Sequence, residues 1–266
     1  MKRFAALVLV LMMVFSASAM AEGTLRVGME CNYAPFNWTQ AEASDTAVPL
    51  SGGGYADGYD VQIAKLIAEG LGMELEIVKT EWDGLPMGVM SGKLDAVIAG
   101  MSPTEERKVT LDFTDNYYES QLVIVVRADS AYAEAKTLDD FAGAKLTGQL
   151  NTFHYAVLSQ ADKATVVTAM ETFPAMIVAL KAGSIDGYVS ELPGAVSAVA
   201  SNPELTYVQF AEGEGFETST DDTAIAVAVA KGSPLREEIN AILATISEEK
   251  REELMQWAVD NQPLSE

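Results

Sequence analysis

The sequence predicts a two-lobed α/β protein in which a second unit is inserted into a first, and three observations predict it. From residue 24 to 100, apolar runs of strand length alternate with helical stripes in the order β-α-β-α-β, which builds a parallel sheet with right-handed crossovers. A turn-then-strand unit, SGKLDAV at 91–97, recurs as GSIDGYV at 183–189. Two strand-like runs, 119–127 and 222–230, stand where the chain leaves the first unit and returns to it, and two such crossovers make a hinge.

The elements follow in order. TLRVGME (24–30) alternates and reads as a strand; YAPFNW (33–38) reads as a loop with three aromatics. The segment 42–57 is polar, contains Gly52, Gly53 and Gly54, and reads as a surface excursion. DVQIAKLIAEG (60–70) puts Val61, Ile63, Ala64, Ile67 and Ala68 on one stripe, with Asp60 as the cap and Gly70 or Gly72 as the stop. Residues 73–79 form the second strand, 82–90 a helix with Pro86 near its first turn, and 95–100 the third strand. Ser102-Pro103-Thr104-Glu105 has the form of a capping box with Pro at the first helical position. QLVIVVR (121–127) is a strong strand. The inserted unit then gives a helical turn in LDDFAG, a strand at 145–149, a helix at 152–159, a strand at 165–168, a helix at 172–182, the repeated strand to Val189, a helix after Pro193 and a strand at 205–210. TAIAVAVA (223–230) returns, and helices at 233–248 and 249–261 close the chain. The expected lobes are 22–119 with 225–266, and 120–224.

Composition sets limits. A chain of 266 residues, 49% hydrophobic, can bury two cores. Lys2 and Arg3, an apolar run at 4–15 and small residues up to Ala21 read as a secretory signal peptide, cleaved after Ala21 or Ala19. The apolar run is too short to span a bilayer, and no cysteine stands at the cleavage point for a lipid anchor. The mature protein is therefore expected to be periplasmic or extracellular, not membrane-spanning, and a monomer. A net charge of −22 argues against nucleic acid as a partner and suits cationic solutes. One cysteine, Cys31, cannot make an internal disulfide, and one histidine, His154, cannot assemble a metal site. Neither Gly52–Gly54 nor the glycines at 143 and 148 continue into a phosphate-loop signature. No metal, cofactor or catalytic residue is expected. Cys31 reads as a buried small hydrophobe, and His154 as a cleft-edge or helix-surface residue.

The candidate site centres on WDGLPMGVMSGKLDAVIAGMSPTEERK. Small residues at the end of a strand let a ligand approach the backbone, and the helix start that follows has unpaired N–H groups for an anion. Arg107, one turn in, can clamp a carboxylate with two parallel bonds. An amino acid or organic acid is the class of ligand this chemistry takes.

Together with LRVGMECNYAPFNW, GYDVQIAKLIAEGLG, DFTDNYYES, GSIDGYVSELPGA and AVAVAKGSPLREEINAIL, that stretch resembles the periplasmic polar-amino-acid-binding proteins of ABC uptake systems, solute-binding protein family 3. The resemblance implies the two-lobed periplasmic binding protein fold (type II, the Venus flytrap) with a double-strand hinge. It implies binding of a free amino acid and delivery to an ABC permease, with no chemistry. By position, it makes Arg107 and Ser102 carboxylate ligands, Tyr33 the ring over the ligand and Trp82 a second wall. Gly100 and Met101 face the ligand through their backbone, and Asn151-Thr152-Phe153 donates N–H groups from the inserted lobe. Glu191 stands where the family usually has an Asp holding the α-ammonium, and Asp186 is the structural acid of the repeated turn. Glu30, three residues before the ring, matches an acid of members that prefer cationic side chains, so arginine or lysine is the favoured ligand. A neutral polar or sulfur amino acid such as glutamine or methionine is the alternative. A cyclohexadienyl or arogenate dehydratase on the same fold is the enzymatic rival, with Glu191, Glu30 or His154 as its acid–base group.

Overall fold

The structure, a computed structural model, describes residues 23–263; the expected signal peptide lies outside the described residues. Two five-stranded sheets repeat one plan. In the first, Thr24–Met29 lies between Glu74–Lys79 and Ala96–Val97, both parallel to it. Ala224–Ala230 then runs antiparallel beside Ala96–Val97, and Leu111–Glu119 closes the sheet. In the second, Lys145–Thr147 lies between the parallel strands Thr165–Val166 and Gly187–Glu191. Leu122–Arg127 runs antiparallel beside Gly187–Glu191, and Leu205–Val208 closes that sheet. The chain thus crosses from the first sheet to the second after Glu119 and returns before Ala224, and the Ser120 N–H donates to Thr223 O at 3.0 Å where the crossings run side by side.

The repeated turn has a physical cause. Asp95 Oδ2 accepts the backbone N–H of Arg26 at 2.9 Å, and Asp186 Oδ2 accepts that of Lys145 at 3.0 Å. Each acid ties the start of its own strand to the neighbouring parallel strand. Each is also held by an arginine, Asp95 by Arg26 at 2.7 Å and Asp186 by Arg127 at 3.4 Å.

Local expectations hold with exceptions. The stripe helix runs Tyr59–Leu71 and stops at Gly72, whose φ of 66° is left-handed. Asp60 does not cap it. Its carboxylate is buried and accepts from Tyr117 Oη at 2.7 Å and Asn37 Nδ2 at 2.8 Å. The loops expected at 33–38 and 42–57 contain a small sheet, in which Asn37–Gln40 pairs with Asn32–Tyr33 and Tyr55–Asp57, and Val48–Pro49 with Tyr55–Asp57. The helix carrying Arg107 is one turn, Glu105–Lys108, and is capped by Thr104 instead of Ser102: Thr104 Oγ1 accepts the Arg107 N–H at 3.4 Å. The third strand is short, Ala96–Val97, so the backbone is already irregular by Gly100.

Candidate functional site

The strand ends of both sheets meet across one cleft. Ala99, Gly100 and Ser102 come from the segment after strand Ala96–Val97, Tyr33 from the small hairpin, Trp82 from the turn before the helix Gly84–Met90, and Arg107 from its one-turn helix. Gln149 and Thr152 come from the segment after strand Lys145–Thr147, and Phe153 and His154 from the short helix Phe153–Ala156 that follows. These residues enclose an inner cavity of about 10 Å³, room for about one water. Outside it opens a groove of about 790 Å³ that shares Trp82, Arg107, Thr152 and Phe153 and adds Asp83, Met101 and Asn151.

Contacts between the sheets close the inner cavity. The Tyr33 hydroxyl donates to Glu191 Oε2, and Gln149 Nε2 donates to Glu30 Oε1 and Oε2 at 3.1 and 3.2 Å. The carbonyl of Asn151 accepts from Trp82 Nε1 at 3.2 Å and Arg107 Nη2 at 3.4 Å, while Asn151 Nδ2 donates to Asp83 at 2.9 Å. Arg107 Nη1 donates to Ser102 O at 2.9 Å, and its guanidinium lies 5.0 Å above the Trp82 ring.

Glu191 is 3% exposed, as is Glu30. His154 Nε2 lies 2.8 Å from Glu191 Oε1, within ion-pair distance but off line for a hydrogen bond, and His154 Nδ1 has no hydrogen-bond partner among the described residues. Burial pushes the Glu191 carboxyl up, but His154 and the Tyr33 hydroxyl outweigh it and hold the acid below its usual range. Burial and the Glu191 charge raise Tyr33 well above the usual phenol, so it stays a donor. Burial also pushes Glu30 up to about 7 against the Gln149 hydrogen bond, and brings Arg107 down to about 10, still charged at neutral pH. Cys31 is buried and pushed up to about 12 by desolvation, an inert thiol.

Most of the sequence-predicted residues gather here, with differences. Met101 is fully buried and reaches only the outer groove, and its carbonyl is taken by the Ala226 N–H at 3.1 Å. The Gly100 N–H donates to Tyr117 Oη at 3.3 Å. Gly100 is required for closeness: its φ is 62°, and a Cβ there would stand 3.1 Å from the Tyr33 ring. The Tyr33 ring stacks on Phe173 at 4.1 Å and on Phe36 at 5.0 Å, so its faces are covered. His154 is not on a helix surface; it is 7% exposed and lines the cavity. Gln149 was missed, although its place at a strand end facing the cleft gave a signal. Among the described residues no group of three His, Cys, Asp or Glu is arranged to hold a metal ion, and no helix is long and apolar enough to cross a membrane.

Two sheets of one plan joined by two crossovers, with a charged cleft between their strand ends, define a two-lobed solute receptor. Residues 25–257 match the bacterial extracellular solute-binding proteins, family 3, and the chain belongs to that family. A probable histidine-binding protein of Campylobacter jejuni is 32% identical over 200 residues, 74% of this chain and 72% of the relative. The crystal structure of an amino acid ABC transporter substrate-binding protein from Streptococcus pneumoniae bound to L-arginine superposes with a TM-score of 0.77 at 27% identity, covering 89% of this chain and 94% of that one. The ancestral amino-acid-binding protein AncCDT-1, a precursor of cyclohexadienyl dehydratase, superposes with a TM-score of 0.72 at 27% identity, covering 89% and 95%.

Proposed function

We propose that this protein binds a free amino acid between its lobes, arginine or lysine in preference, and delivers it to an ABC permease. The observation that carries this reading is one cleft lined by the Arg107 guanidinium, with two buried carboxylates contacting its other lining residues: Glu191 against His154, and Glu30 against Gln149. Arg107 and the Ser102 region take the α-carboxylate, Glu191 takes the α-ammonium, and Glu30 with the Trp82 ring takes a cationic side chain. Asn151, Thr152 and Phe153 complete the wall from the inserted lobe. A histidine-binding relative and an arginine-bound neighbour support a basic ligand. The lobes in this reading are 22–119 with 225–266, and 120–224; strands Leu111–Glu119 and Ala224–Ala230 on the first sheet and Leu122–Arg127 on the second support a division near those residues. An inner cavity of about 10 Å³ admits no amino acid until the lobes part, so binding includes an opening step.

A thermal-shift panel of the twenty amino acids, ornithine and citrulline, confirmed by calorimetry, tests this. At 100 times its dissociation constant the ligand adds about 2.7 kcal/mol of apparent stability. Arginine or lysine gives the largest shift; a largest shift from glutamine, methionine or cystine rejects the cationic preference, and no shift at all rejects the receptor.

One observation favours a second reading, the dehydratase: His154 lines the cavity with the buried Glu191 carboxylate 2.8 Å behind its Nε2. It is the weaker reading, because an acid held below its usual range is a poor proton donor at neutral pH. Incubation with prephenate and arogenate decides it: product formation establishes the enzyme, and recovery of unchanged substrate leaves the receptor.

A further inference from the structure

We propose that Asp60, which does not line the cleft, is a positioning residue of the amino-acid site: it fixes the two backbone kinks that set Glu30 and Tyr33 on one side, and Ser102 and Arg107 on the other. The inference rests on the receptor reading and adds to it a residue that the ligand does not touch.

Two strands of the first sheet end in a kink beside site residues. After Thr24–Met29 and Glu30, Cys31 takes a φ of 57°; after Ala96–Val97, Gly100 takes a φ of 62°. Cys31 stands between Glu30 and the hairpin that carries Tyr33, and Gly100 lines the inner cavity two residues before Ser102. A left-handed kink at a residue with a side chain is sparsely populated and persists only where the surroundings hold it. Here each kink is held by its own N–H. The Cys31 N–H donates to Asn37 Oδ1 at 2.8 Å, and the Gly100 N–H donates to Tyr117 Oη at 3.3 Å. Asn37 and Tyr117 then turn to one carboxylate. Asn37 Nδ2 donates to Asp60 Oδ2 at 2.8 Å, and Tyr117 Oη donates to Asp60 Oδ1 at 2.7 Å. The two branches have the same form: a kinked residue's N–H, a relay side chain, and one oxygen of Asp60. Asn37, Asp60 and Tyr117 are all fully buried, so bulk water offers none of them a substitute partner.

An acid at the junction gives both branches their direction. An ionised carboxylate only accepts, and it does so on two oxygens. Asn37 must therefore turn its amide nitrogen to Asp60 and its oxygen to Cys31. Tyr117 must spend its one proton on Asp60 and offer its lone pairs to Gly100. Burial pushes Asp60 up to about 6, and the Tyr117 and Asn37 donors and the Gly100 N–H oppose that shift, so the charge persists at neutral pH. A buried charge contributes little net stability, because desolvation offsets its hydrogen bonds; what this one supplies is a single geometry. The junction is anchored away from the cleft. Asp60 belongs to the helix Tyr59–Leu71, which packs into the core through Val61, Ile63 and Ile67, and Tyr59 Oη donates to the carbonyl of Tyr117 at 2.9 Å. Walls fixed before the ligand arrives lose less freedom on binding, and that difference appears as affinity.

Two small substitutions and one control test this. Tyr117→Phe removes one oxygen, and Asp60→Asn makes the junction an amide that cannot accept on both sides. Asp95→Asn is the control, since Asp95 ties the same strands together at their other end, by Arg26. Urea unfolding gives the stability of each protein, and calorimetry gives its affinity for L-arginine or for the amino acid the panel selects. We expect Tyr117→Phe to bind about fivefold or more weakly, the size of one lost hydrogen bond, and Asp95→Asn to bind as the native protein does despite its own loss of stability. The double variant Asp60→Asn with Tyr117→Phe should lose less affinity than the product of the two single losses, because both cut the same branch. In amide NMR spectra, Asp60→Asn should displace the Cys31 and Gly100 resonances together. If Asp60→Asn does not fold, Tyr117→Phe and the control decide alone. Native affinity in Tyr117→Phe, equal losses in Tyr117→Phe and Asp95→Asn, a fully multiplicative double variant, or a Cys31 resonance unmoved in Asp60→Asn each overturn the proposal and leave the receptor intact. Absence of binding of every amino acid to the native protein overturns the receptor reading, and the proposal with it.

Discussion

Replacing Glu30 by glutamine removes a carboxyl group whose ionisation the structure resists. Glu30 is 3% exposed, and its only side-chain hydrogen-bond partner among the described residues is Gln149, which donates one amide nitrogen to both carboxylate oxygens. Burial raises its pKa from 4.5 to about 7, which corresponds to about 3 kcal/mol between the two protonation states. The sign follows from the direction. A carboxyl raised by folding is bound to its proton more tightly in the folded state. Its favourable contribution is complete below about 4.5, is lost as pH rises toward about 7, and is absent above that. The substituted amide carries no charge and keeps an acceptor for Gln149, so Glu30→Gln is flat over the same window. Urea unfolding of both proteins at steps from about pH 4.5 to 8 measures the difference directly. Asp60, pushed to about 6 by its own burial, titrates in both and cancels. The variant should gain on the native protein by up to about 3 kcal/mol from the acid to the alkaline end. Parallel profiles would refute the enclosure of Glu30. On the proposed specificity, the same variant should also bind arginine more weakly relative to glutamine, because a cationic side chain loses its countercharge.

Three further outcomes are expected. Arg107→Ala should weaken amino-acid binding by about 30-fold or more, since loss of a desolvated charge partner costs about 2 kcal/mol upward; calorimetry that finds native affinity would free Arg107 from the carboxylate role. Asp95→Asn leaves one acceptor oxygen but removes the charge and the second acceptor from the two-pronged contact with Arg26, so unfolding free energy should fall by about 1–3 kcal/mol with ligand affinity unchanged. Gly100→Ala forces a side chain into a left-handed backbone against the Tyr33 ring, at a cost of about 1–2 kcal/mol; both thermal stability and ligand affinity should drop, and an unaltered affinity would separate Tyr33 from the site.

Much of this was legible in the sequence because its signals are periodic. Thirteen helical residues at Tyr59–Leu71 or six alternating ones at Thr24–Met29 announce themselves. The repeated turn was legible for a different reason: a carboxylate that must reach a neighbouring strand's N–H leaves an Asp at a fixed offset, seen at Asp95 and Asp186. The small sheet was not legible, since Asn32–Tyr33 and Val48–Pro49 are two-residue strands in glycine-rich, polar sequence. Nor was the cap. SPTE and Thr104-to-Arg107 both have the right spacing, and only the extended backbone of Thr104 selects it. His154 escaped because the helix Phe153–Ala156 is too short for a face to be read from periodicity. Its partner Glu191 was assigned from resemblance, and the pair joins residues 37 positions apart.

The closed cleft also suggests why a zwitterion, and not merely a charged solute, would be its ligand. Each group proposed to hold the amino acid has an internal partner from the opposite sheet: Glu191 with Tyr33, Glu30 with Gln149, Arg107 with the carbonyl of Asn151. A ligand therefore replaces contacts that already exist, and its affinity is the difference. An amine alone satisfies Glu191 but leaves Arg107 enclosed with no anion, and an acid alone leaves Glu191 to His154 and adds a second negative charge beside it. Since an enclosed unpaired charge costs several kcal/mol, either half-ligand forfeits more than it gains. Only a molecule with both charged groups on one carbon can displace the self-contacts of the two walls together, and closure of the lobes then discriminates for the amino-acid head group before any side chain is read.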